Sequence, residues 1–386
     1  MLSLIGIWTL RRSAIGSYGV AHTAGPDDIY NRTLGVSPLA PASTICVVLQ
    51  LTGSQFQRVF AISMPERTDK RDGLLLASSY AGFDIDWHDG VAYSSISPKA
   101  VPPNWNYAKR SNGSLGCWRA HMNVLHTIVH QKIQSALIFE DDTDFDISIK
   151  QQLSQFAAGS RVLQNSTGRL SSPYGNDWDF LWLGHCKLGP GEEQSRLYVI
   201  DDDSTVPPLP HRNGKWYSDK IPPQVLEENK RIVFKATRGG LCMYAYAVTY
   251  ESARKILTAL SVVPRDDPVD MQYRHVCSGR YGVPIECYGS YPTLFATHRA
   301  AGPADRDSDL NSWGSKWHKE YTWDIVYSTI QNLPRLMTGN PYVQAQWPKD
   351  VKEEWKHISE RLRGVGNIKN VDLKALPKEE MPGINR

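Results

Sequence analysis

The sequence predicts an α/β fold built on a largely parallel sheet. Short apolar runs alternate along the chain with longer amphipathic segments, and this alternation of strands and helices is typical of α/β proteins. The 386 residues are 41% hydrophobic, which suffices for a sizeable core and excludes a wholly disordered chain or a collagen-like repeat. Lysine and arginine exceed the acidic residues by only 43 to 40, so the charge does not indicate nucleic acid binding.

The predicted strands are apolar runs bounded by turn residues, and the first of them is RVFAIS. They cover 58–63, 83–88, 136–139, 179–185, 240–249 and 283–289.

The clearest predicted helix covers 115–131. Trp118, Met122, Leu125 and Val129 share one apolar stripe there when successive residues turn by about 100°. Further helices are predicted over 73–82, 251–260 and 349–363.

The composition divides the chain into three parts. Residues 1–54 lack periodicity and are expected to form a poorly ordered leader, whose opening apolar run is shorter than the roughly 20 residues of a membrane-spanning helix. This leaves membrane association open. The main domain is expected over 55–315, with an insertion or flap at 187–232, and a helical extension over 316–386.

The six cysteines contain no C-x-x-C spacing, which disfavours a structural zinc site. Cys117 and Cys242 lie in apolar strings and are predicted to be buried thiols. Cys277 and Cys287 are separated by a glycine-containing turn and can pair in an oxidising compartment.

The acidic run after the strand at 136–139 is the sharpest candidate site. Glu140, Asp141 and Asp142 follow that strand directly, and in an open α/β sheet the carboxyl ends of strands face the ligand crevice. Asp142 and Asp144 alternate along an extended chain, so both can bind one Mn²⁺ or Mg²⁺ ion. A helix N-cap with an acidic first turn is the alternative. A second acidic triplet, at 201–203, is expected to be solvated surface.

Four further segments carry candidate residues. The turn after the first strand holds the basic residues Arg67, Lys70 and Arg71, which suit phosphate binding but equally suit a charged helix start.

Two histidines and an aspartate complete the candidates. His121 lies inside the apolar arc of the helix at 115–131 and is either a ligand-binding or a buried structural histidine. Asp270 either reaches the ligand edge of the sheet or caps a helix, and His298 either completes an oxygen-rich metal shell or lies on the surface.

Taken together, these segments resemble glycosyltransferase family 25, which includes lipopolysaccharide and collagen β-galactosyltransferases, and its fungal branch is the most similar. The likeness covers roughly residues 58–310 and rests on five motifs that occur in the family's order. They are VFAISMPERTDKR, GSLGCWRAHMNV, ALIFEDD, CMYAYAVTYESARKIL and PVD.

The resemblance implies a GT-A-like, Rossmann-type, mostly parallel sheet with flanking helices. It also implies a UDP-hexose donor (UDP-galactose or UDP-glucose), a Mn²⁺ or Mg²⁺ cofactor, and inverting transfer to a hydroxyl of a glycan or glycoprotein acceptor. A secretory compartment, the Golgi, is the location it implies. The non-catalytic alternative is a sugar- or nucleotide-binding relative of the same fold.

The motifs also assign roles to individual residues. By resemblance, Asp142 contacts metal and diphosphate, and Glu140 and Asp141 belong to the acidic signature. Glu140 is accordingly a candidate catalytic residue, and Asp141 a candidate donor-binding residue. Asp270 is the candidate catalytic base by motif, with another acid such as Asp177 or Asp179 as the alternative. The other residues that match the family's donor-binding motifs are Pro65, Arg67, Asp69, Arg71 and His121.

Overall fold

A computed structural model describes most of the chain. The described residues are 56–82, 84–168, 170–191, 193–212, 229–263, 265–310 and 314–371. The predicted leader at 1–54 and the middle of the predicted insertion at 187–232 lie outside them.

Sixteen strands and six α-helices occur in these residues. In chain order the strands are β1 (Arg58–Ser63), β2 (Asp86–Asp89), β3 (Ser135–Glu140), β4 (Thr143–Phe145), β5 (Phe180–Gly184), β6 (Arg196–Asp201), β7 (Arg231–Lys235), β8 (Ala245–Thr249), β9 (Cys287–Tyr291), β10 (Phe295–Arg299), β11 (Gly302–Pro303), β12 (Trp317–His318), β13 (Tyr321–Thr322), β14 (Tyr342–Gln344), β15 (Trp355–His357) and β16 (Val365–Asn370). The helices are α1 (Thr68–Ala81), α2 (Asn112–His130), α3 (Ile149–Leu163), α4 (Tyr250–Leu257), α5 (Val269–Cys277) and α6 (Thr329–Met337).

One large sheet confirms the predicted α/β class. Its strand order is β16-β6-β7-β9-β5-β8-β3-β1-β2, with β4, β10 and β13 attached beside this path. β1 pairs in parallel with both β2 and β3, and β5 pairs in parallel with β9. The sheet is mostly parallel in strand direction, because β1, β2, β3, β5, β6 and β9 run one way and β7, β8 and β16 run the other.

Helices cover both faces of the sheet, which explains why the strands are continuous apolar runs. Phe60 of β1 packs in one core together with Trp118 of α2. Its neighbour Val59 points to the opposite face and packs in a second core with Leu74 of α1 and Phe156 of α3.

Two disulfides lie near the starts of β8 and β9. The pairing of Cys277 with Cys287 is confirmed. The prediction of a buried thiol at Cys242 is wrong, because the chain turns there with a φ of +59° and Cys242 pairs with Cys186. Cys117 is the free cysteine among those described.

The segment at 187–232 contributes strands to the sheet at both of its described ends, β6 and the start of β7. The expectation of a solvated acidic triplet at 201–203 is wrong for Asp203, whose side chain is fully buried. Its Oδ2 lies 2.8 Å from Nε of the equally buried Arg231. This ion pair fastens the loop after β6 to the sheet.

The predicted helix at 349–363 is wrong. β15 forms within it and pairs antiparallel with β14, leaving Trp355 exposed and burying Lys356. The charged pattern fits a helix locally, but the partner strand that overrides this preference lies about ten residues earlier in the sequence. β16 then adds a strand to the edge of the main sheet, so the described part of the predicted helical extension contains only one α-helix, α6.

His185, directly after β5, is buried and neutral. Its Nε2 lies 2.8 Å from the carbonyl oxygen of Ser290, so Nε2 carries the proton and donates it. Burial lowers the pKa of His185 from 6.5 to about 4.

His185 therefore makes the folding stability dependent on pH. As the pH falls below 6.5 the unfolded chain takes up a proton at His185 that the folded chain does not bind until about pH 4. We expect this residue to remove ~3 kcal/mol from the free energy of unfolding over that interval. Denaturant unfolding between pH 7.5 and 4.5 measures it, and H185Q should show a correspondingly shallower loss. The exposed His126 supplies the control, H126Q; equal pH slopes for H185Q and wild type would contradict the assignment.

Candidate active site at the carboxyl ends of β1 and β3

The basic turn and the acidic run meet because β1 and β3 are parallel neighbours. Ile62 of β1 is in register with Glu140 of β3, so the two strands end side by side. β1 leads through a short turn into α1, and β3 leads directly into the acidic run. The carboxyl ends of these strands therefore form one edge where acidic and basic side chains face each other.

Lys70 of α1 forms an ion pair with Asp141. Its Nζ lies 3.0 Å from Asp141 Oδ1, and only 13% and 12% of the two side chains are exposed. Burial raises the pKa of Asp141 to about 6, against the opposing effect of Lys70. The first helix of the fold is thus joined electrostatically to the end of β3.

Asp142 forms a second pair, with Arg299 at the end of β10. Arg299 Nη1 lies 2.6 Å from Asp142 Oδ2, and Thr297 Oγ1 donates to the same oxygen at 3.0 Å. Burial alone would raise the pKa of Asp142, but Arg299 and Lys70 outweigh it and lower the pKa. The other oxygen, Oδ1, is buried and accepts no hydrogen bond within the described chain. One carboxylate oxygen of Asp142 is therefore available to a ligand.

Asp144 has no oxygen available in the same way. Its Oδ1 accepts backbone N–H groups from Phe145 and Ile330, and its Oδ2 accepts the hydroxyls of Thr322 and Ser328. These bonds fasten the segment before α6 to the sheet. Asp144 therefore offers no free oxygen for the ion that it was expected to share with Asp142.

His298 lies beside Asp144 on the other side of β10 from Arg299. Its Nδ1 is 2.9 Å from the Thr322 hydroxyl, and its Nε2 is 3.4 Å from Glu320. The structure therefore does not bring His298 together with the side chain of Asp142, although the two backbones are hydrogen-bonded.

The donor-motif residues divide between two places. Arg67 donates to both Asp69 and Asp309, next to Lys70. Arg71 donates to Asp89, the last residue of β2, and to the carbonyl oxygen of Ser63 at the end of β1, and it lies over the Trp87 ring at 5.1 Å.

Pro65 occupies the exposed turn between β1 and α1. Arg67 and Asp69 thus lie at the edge of the acidic run, and Arg71 is directed towards β2.

A second cluster combines α2 with the end of β3. His121 is buried, its Nδ1 lies 2.9 Å from the Tyr246 hydroxyl, and its Nε2 lies 3.6 Å from Glu140 Oε1. Cys117, one turn earlier on the helix, has its thiol within 4.8 Å of the ligand atoms of both. Burial raises the pKa of this thiol well above its usual value, and Glu140 and Asp270 add to the effect.

Asp270 begins α5 and is held by backbone groups. Its Oδ1 accepts the N–H of Met271 and its Oδ2 accepts the N–H of Cys242. Pro268 is the N-cap residue of α5 and no side chain caps this helix, so the cap that the sequence offered as an alternative is not formed. Asp270 lies in the first turn of α5 and stabilises the turn that carries the disulfide to Cys186.

Sequence reasoning missed Arg299 and the pairing of Lys70 with Asp141, and it did not combine Cys117 with His121 in one site. Lys70 and Arg299 neutralise the acidic run, but a basic residue in a turn carries no sign of its distant partner. Cys117 and His121 have a detectable signal, the i, i+4 spacing of two metal-binding side chains on one helix.

Tyr321 and Trp323 form an aromatic pair beside Arg299. Tyr321 is in register with Arg299 across antiparallel strands, so both side chains project from the same face, and Trp323 follows two residues later. The two rings are 5.3 Å apart, and 40% of Trp323 is exposed. An accessible aromatic surface therefore lies on the face that carries the Asp142–Arg299 pair.

A search of the described helices finds none that combines the length and the apolar character needed to cross a membrane.

The chain is similar in sequence to glycosyltransferase 25 family members and to procollagen galactosyltransferases. Bos taurus "Probable inactive glycosyltransferase 25 family member 3" is 22% identical over 303 residues, which are 73% of this chain and 44% of that protein. Danio rerio procollagen galactosyltransferase 1 is 28% identical over 163 residues (39% and 25%), and Homo sapiens procollagen galactosyltransferase 2 is 22% identical over 332 residues (78% and 46%). The chain spans less than half the length of these relatives.

A family model described as "Glycosyltransferase family 25 (LPS biosynthesis protein)" matches residues 54–272, the region that contains β1, α2, the acidic run and the start of α5. Because this match covers more than half of the 386 residues, the chain belongs to glycosyltransferase family 25.

Proposed function

We propose that this chain transfers galactose or glucose from a UDP-sugar to an acceptor hydroxyl, with inversion and with the help of a divalent cation. The observation that carries the proposal is the buried, unpaired Oδ1 of Asp142, which lies at a strand-end edge between two cations, Lys70 and Arg299. Family membership supports transferase chemistry at this edge.

The acidic run fits a hard divalent cation. Asp142 Oδ1 has no other partner among the described residues, and carboxylate oxygens are the ligands that Mn²⁺ and Mg²⁺ prefer. We propose that Asp142 and Asp141 hold the ion. When bound, the ion supplies Lewis-acid neutralisation of the negative charge on the UDP leaving group.

Lys70 and Arg299 also neutralise the negative charge on the UDP leaving group. Each lies within hydrogen-bond distance of an acidic residue, and neither side chain is more than 16% exposed. Positive groups fixed in a mostly buried edge stabilise developing negative charge without having to reorganise during the reaction.

Inverting transfer needs a carboxylate that accepts the proton of the attacking hydroxyl. Asp270 matches the family's PVD motif, but both of its oxygens already accept backbone N–H groups. Glu140 is 28% exposed, and its Oε1 lies 3.6 Å from Nε2 of His121, beyond hydrogen-bond distance. We therefore propose Glu140 as the base and Asp270 as the residue that positions the Cys242 turn beside it.

The acceptor is proposed to be a saccharide or a glycosylated protein. Tyr321 and Trp323 offer an aromatic surface on the same face as Arg299, and a pyranose ring can pack its apolar face against such a surface. The two disulfides suit an oxidising compartment, which supports a location in the secretory pathway, with the Golgi as our specific proposal.

One observation favours a non-catalytic role as the second candidate. Asp141 and Asp142 are both already paired with basic side chains, so a bound cation competes with Lys70 and Arg299 for them. Proteins named as inactive members of the family are among the relatives. A non-catalytic relative would bind a sugar or nucleotide without releasing UDP.

Replacing Asp142 tests the acidic site and the metal together. We expect D142N to reduce UDP release from UDP-galactose or UDP-glucose by ~10²–10³-fold, because one electrostatic contact to the leaving group is lost. A chelator should reduce wild-type release similarly, and Mn²⁺ should restore it only in the wild type. D86N removes an exposed carboxylate of β2 and serves as the control. Unchanged turnover of folded D142N would refute the role of Asp142.

Comparison of E140Q with D270N separates the two candidate bases. Because a general base contributes about 10²–10⁴-fold, E140Q should lower kcat by that amount and leave UDP binding intact. D270N should instead lower the thermal midpoint of unfolding, since it weakens the hold on Cys242. A loss of kcat confined to D270N would reverse the assignment.

Replacing Trp323 tests the acceptor surface. W323A should raise KM for a saccharide acceptor about 2–10-fold, the value of an aromatic contact, while UDP release in the absence of acceptor is unchanged. Trp355 is similarly exposed (43%) but belongs to the β14–β15 hairpin, so W355A is the matched control. Equal acceptor KM values for W323A and W355A would contradict the proposed surface.

A further inference from the structure

The cluster of Cys117, His121 and Glu140 has the composition of a metal site that differs from the all-oxygen site at Asp142. Their potential ligand atoms all lie within 4.8 Å of one another. Cys117 and His121 are four residues apart on α2, so their side chains project from the same face one turn apart. Glu140 reaches the same point from the end of β3.

The histidine is oriented as a metal ligand. The Tyr246 hydroxyl holds Nδ1 at 2.9 Å, which turns Nε2 towards Glu140. Tyr246 is itself fixed, because it is fully buried and its ring stacks on Phe180 at 5.3 Å. A hydrogen bond to the second ring nitrogen is the usual way in which proteins orient histidine ligands.

The spacing and charge leave a place for a cation. Nε2 of His121 and Oε1 of Glu140 are 3.6 Å apart, too far for a hydrogen bond but close to the separation of two ligands on one ion. The thiol of Cys117 also lies in the field of Glu140, Asp270 and Asp142. A divalent cation would relieve the repulsion among these acidic groups.

We propose that Cys117, His121 and Glu140 bind a borderline-soft divalent cation of the zinc class, with an open fourth position. Sulfur, imidazole nitrogen and one carboxylate oxygen favour Zn²⁺ over Mn²⁺ and Mg²⁺. On binding, the S–H bond of Cys117 breaks, a metal–sulfur bond forms, and the proton passes to solvent.

The site has a functional consequence that rests on the proposed function. Glu140 is our proposed base, so an ion held at this site occupies the carboxylate that the acceptor hydroxyl needs. Zinc-class ions are therefore inhibitors of transfer, whereas Mn²⁺ at Asp142 supports it.

Cadmium binding to the full chain tests the site directly, independently of activity. Wild-type protein should bind one Cd²⁺ with an ultraviolet thiolate charge-transfer band, and calorimetry with Zn²⁺ should show the same stoichiometry. C117S should abolish the band. E140Q should weaken Zn²⁺ binding by more than about tenfold, because replacing even a residue that only hydrogen-bonds to a metal ligand typically weakens binding by at least that much. The control is C46S. Cys46 lies outside the described residues and belongs to neither of the two disulfides.

The outcomes distinguish this proposal from the proposed function. A band that persists in C117S, or disappears in C46S, overturns the site. The same result follows if E140Q binds Zn²⁺ like wild type, since E140Q alters a partly exposed side chain with little risk to folding. Zn²⁺ binding that depends on Cys117 without any UDP release from wild type supports the site and counts against the transferase instead.

Discussion

The burial of two adjacent carboxylates is the constraint on which the candidate site depends. Asp141 and Asp142 leave β3 side by side and are largely withdrawn from water, which is unfavourable for two negative charges unless each is compensated. Lys70 compensates one from α1 and Arg299 compensates the other from β10. Elements far apart in the chain are thereby fixed around one strand end.

The same constraint gives the region its chemical character. Because Arg299 and Thr297 occupy only one oxygen of Asp142, the second oxygen stays buried and unpaired. This combination of fixed positive charge and one available carboxylate oxygen suits a ligand that carries both negative charge and a cation, as a metal-bound nucleotide diphosphate does. The arrangement also explains why the second candidate is a binding protein, since the internal ion pairs alone satisfy most of the charge.

The segment after β10 completes the site from outside the matched family region. Asp144 accepts four hydrogen bonds, and the three from Thr322, Ser328 and Ile330 hold this part of the chain against β4. β13 then places Tyr321 beside Arg299. Asp144, predicted from alternation to share an ion with Asp142, thus acts through packing: it fixes the strand that carries the aromatic surface.

The sequence by itself determined the α/β class, the positions of β1, α2, β3 and β5, and the acidic run at the end of β3 as a candidate site. These follow from local patterns: apolar runs, one helical stripe, and the rule that parallel strands end at a common edge. The family resemblance added the order of the motifs. It did not supply the contacts of Asp144 or His298, which lie beside each other and both contact the Thr322 hydroxyl.

Only the tertiary structure decided which charges are paired and that Cys186 is bonded to Cys242. Arg299 follows Asp142 by 157 residues, and Cys186 and Cys242 are separated by 56. Within the predicted helix at 349–363, β15 forms instead because it pairs with β14. No local pattern encodes such partners, because each side chain alone is equally compatible with solvent exposure, a helix cap or a buried pair. The choice among these follows from where the sheet order places the strand ends, and that is a property of the whole fold.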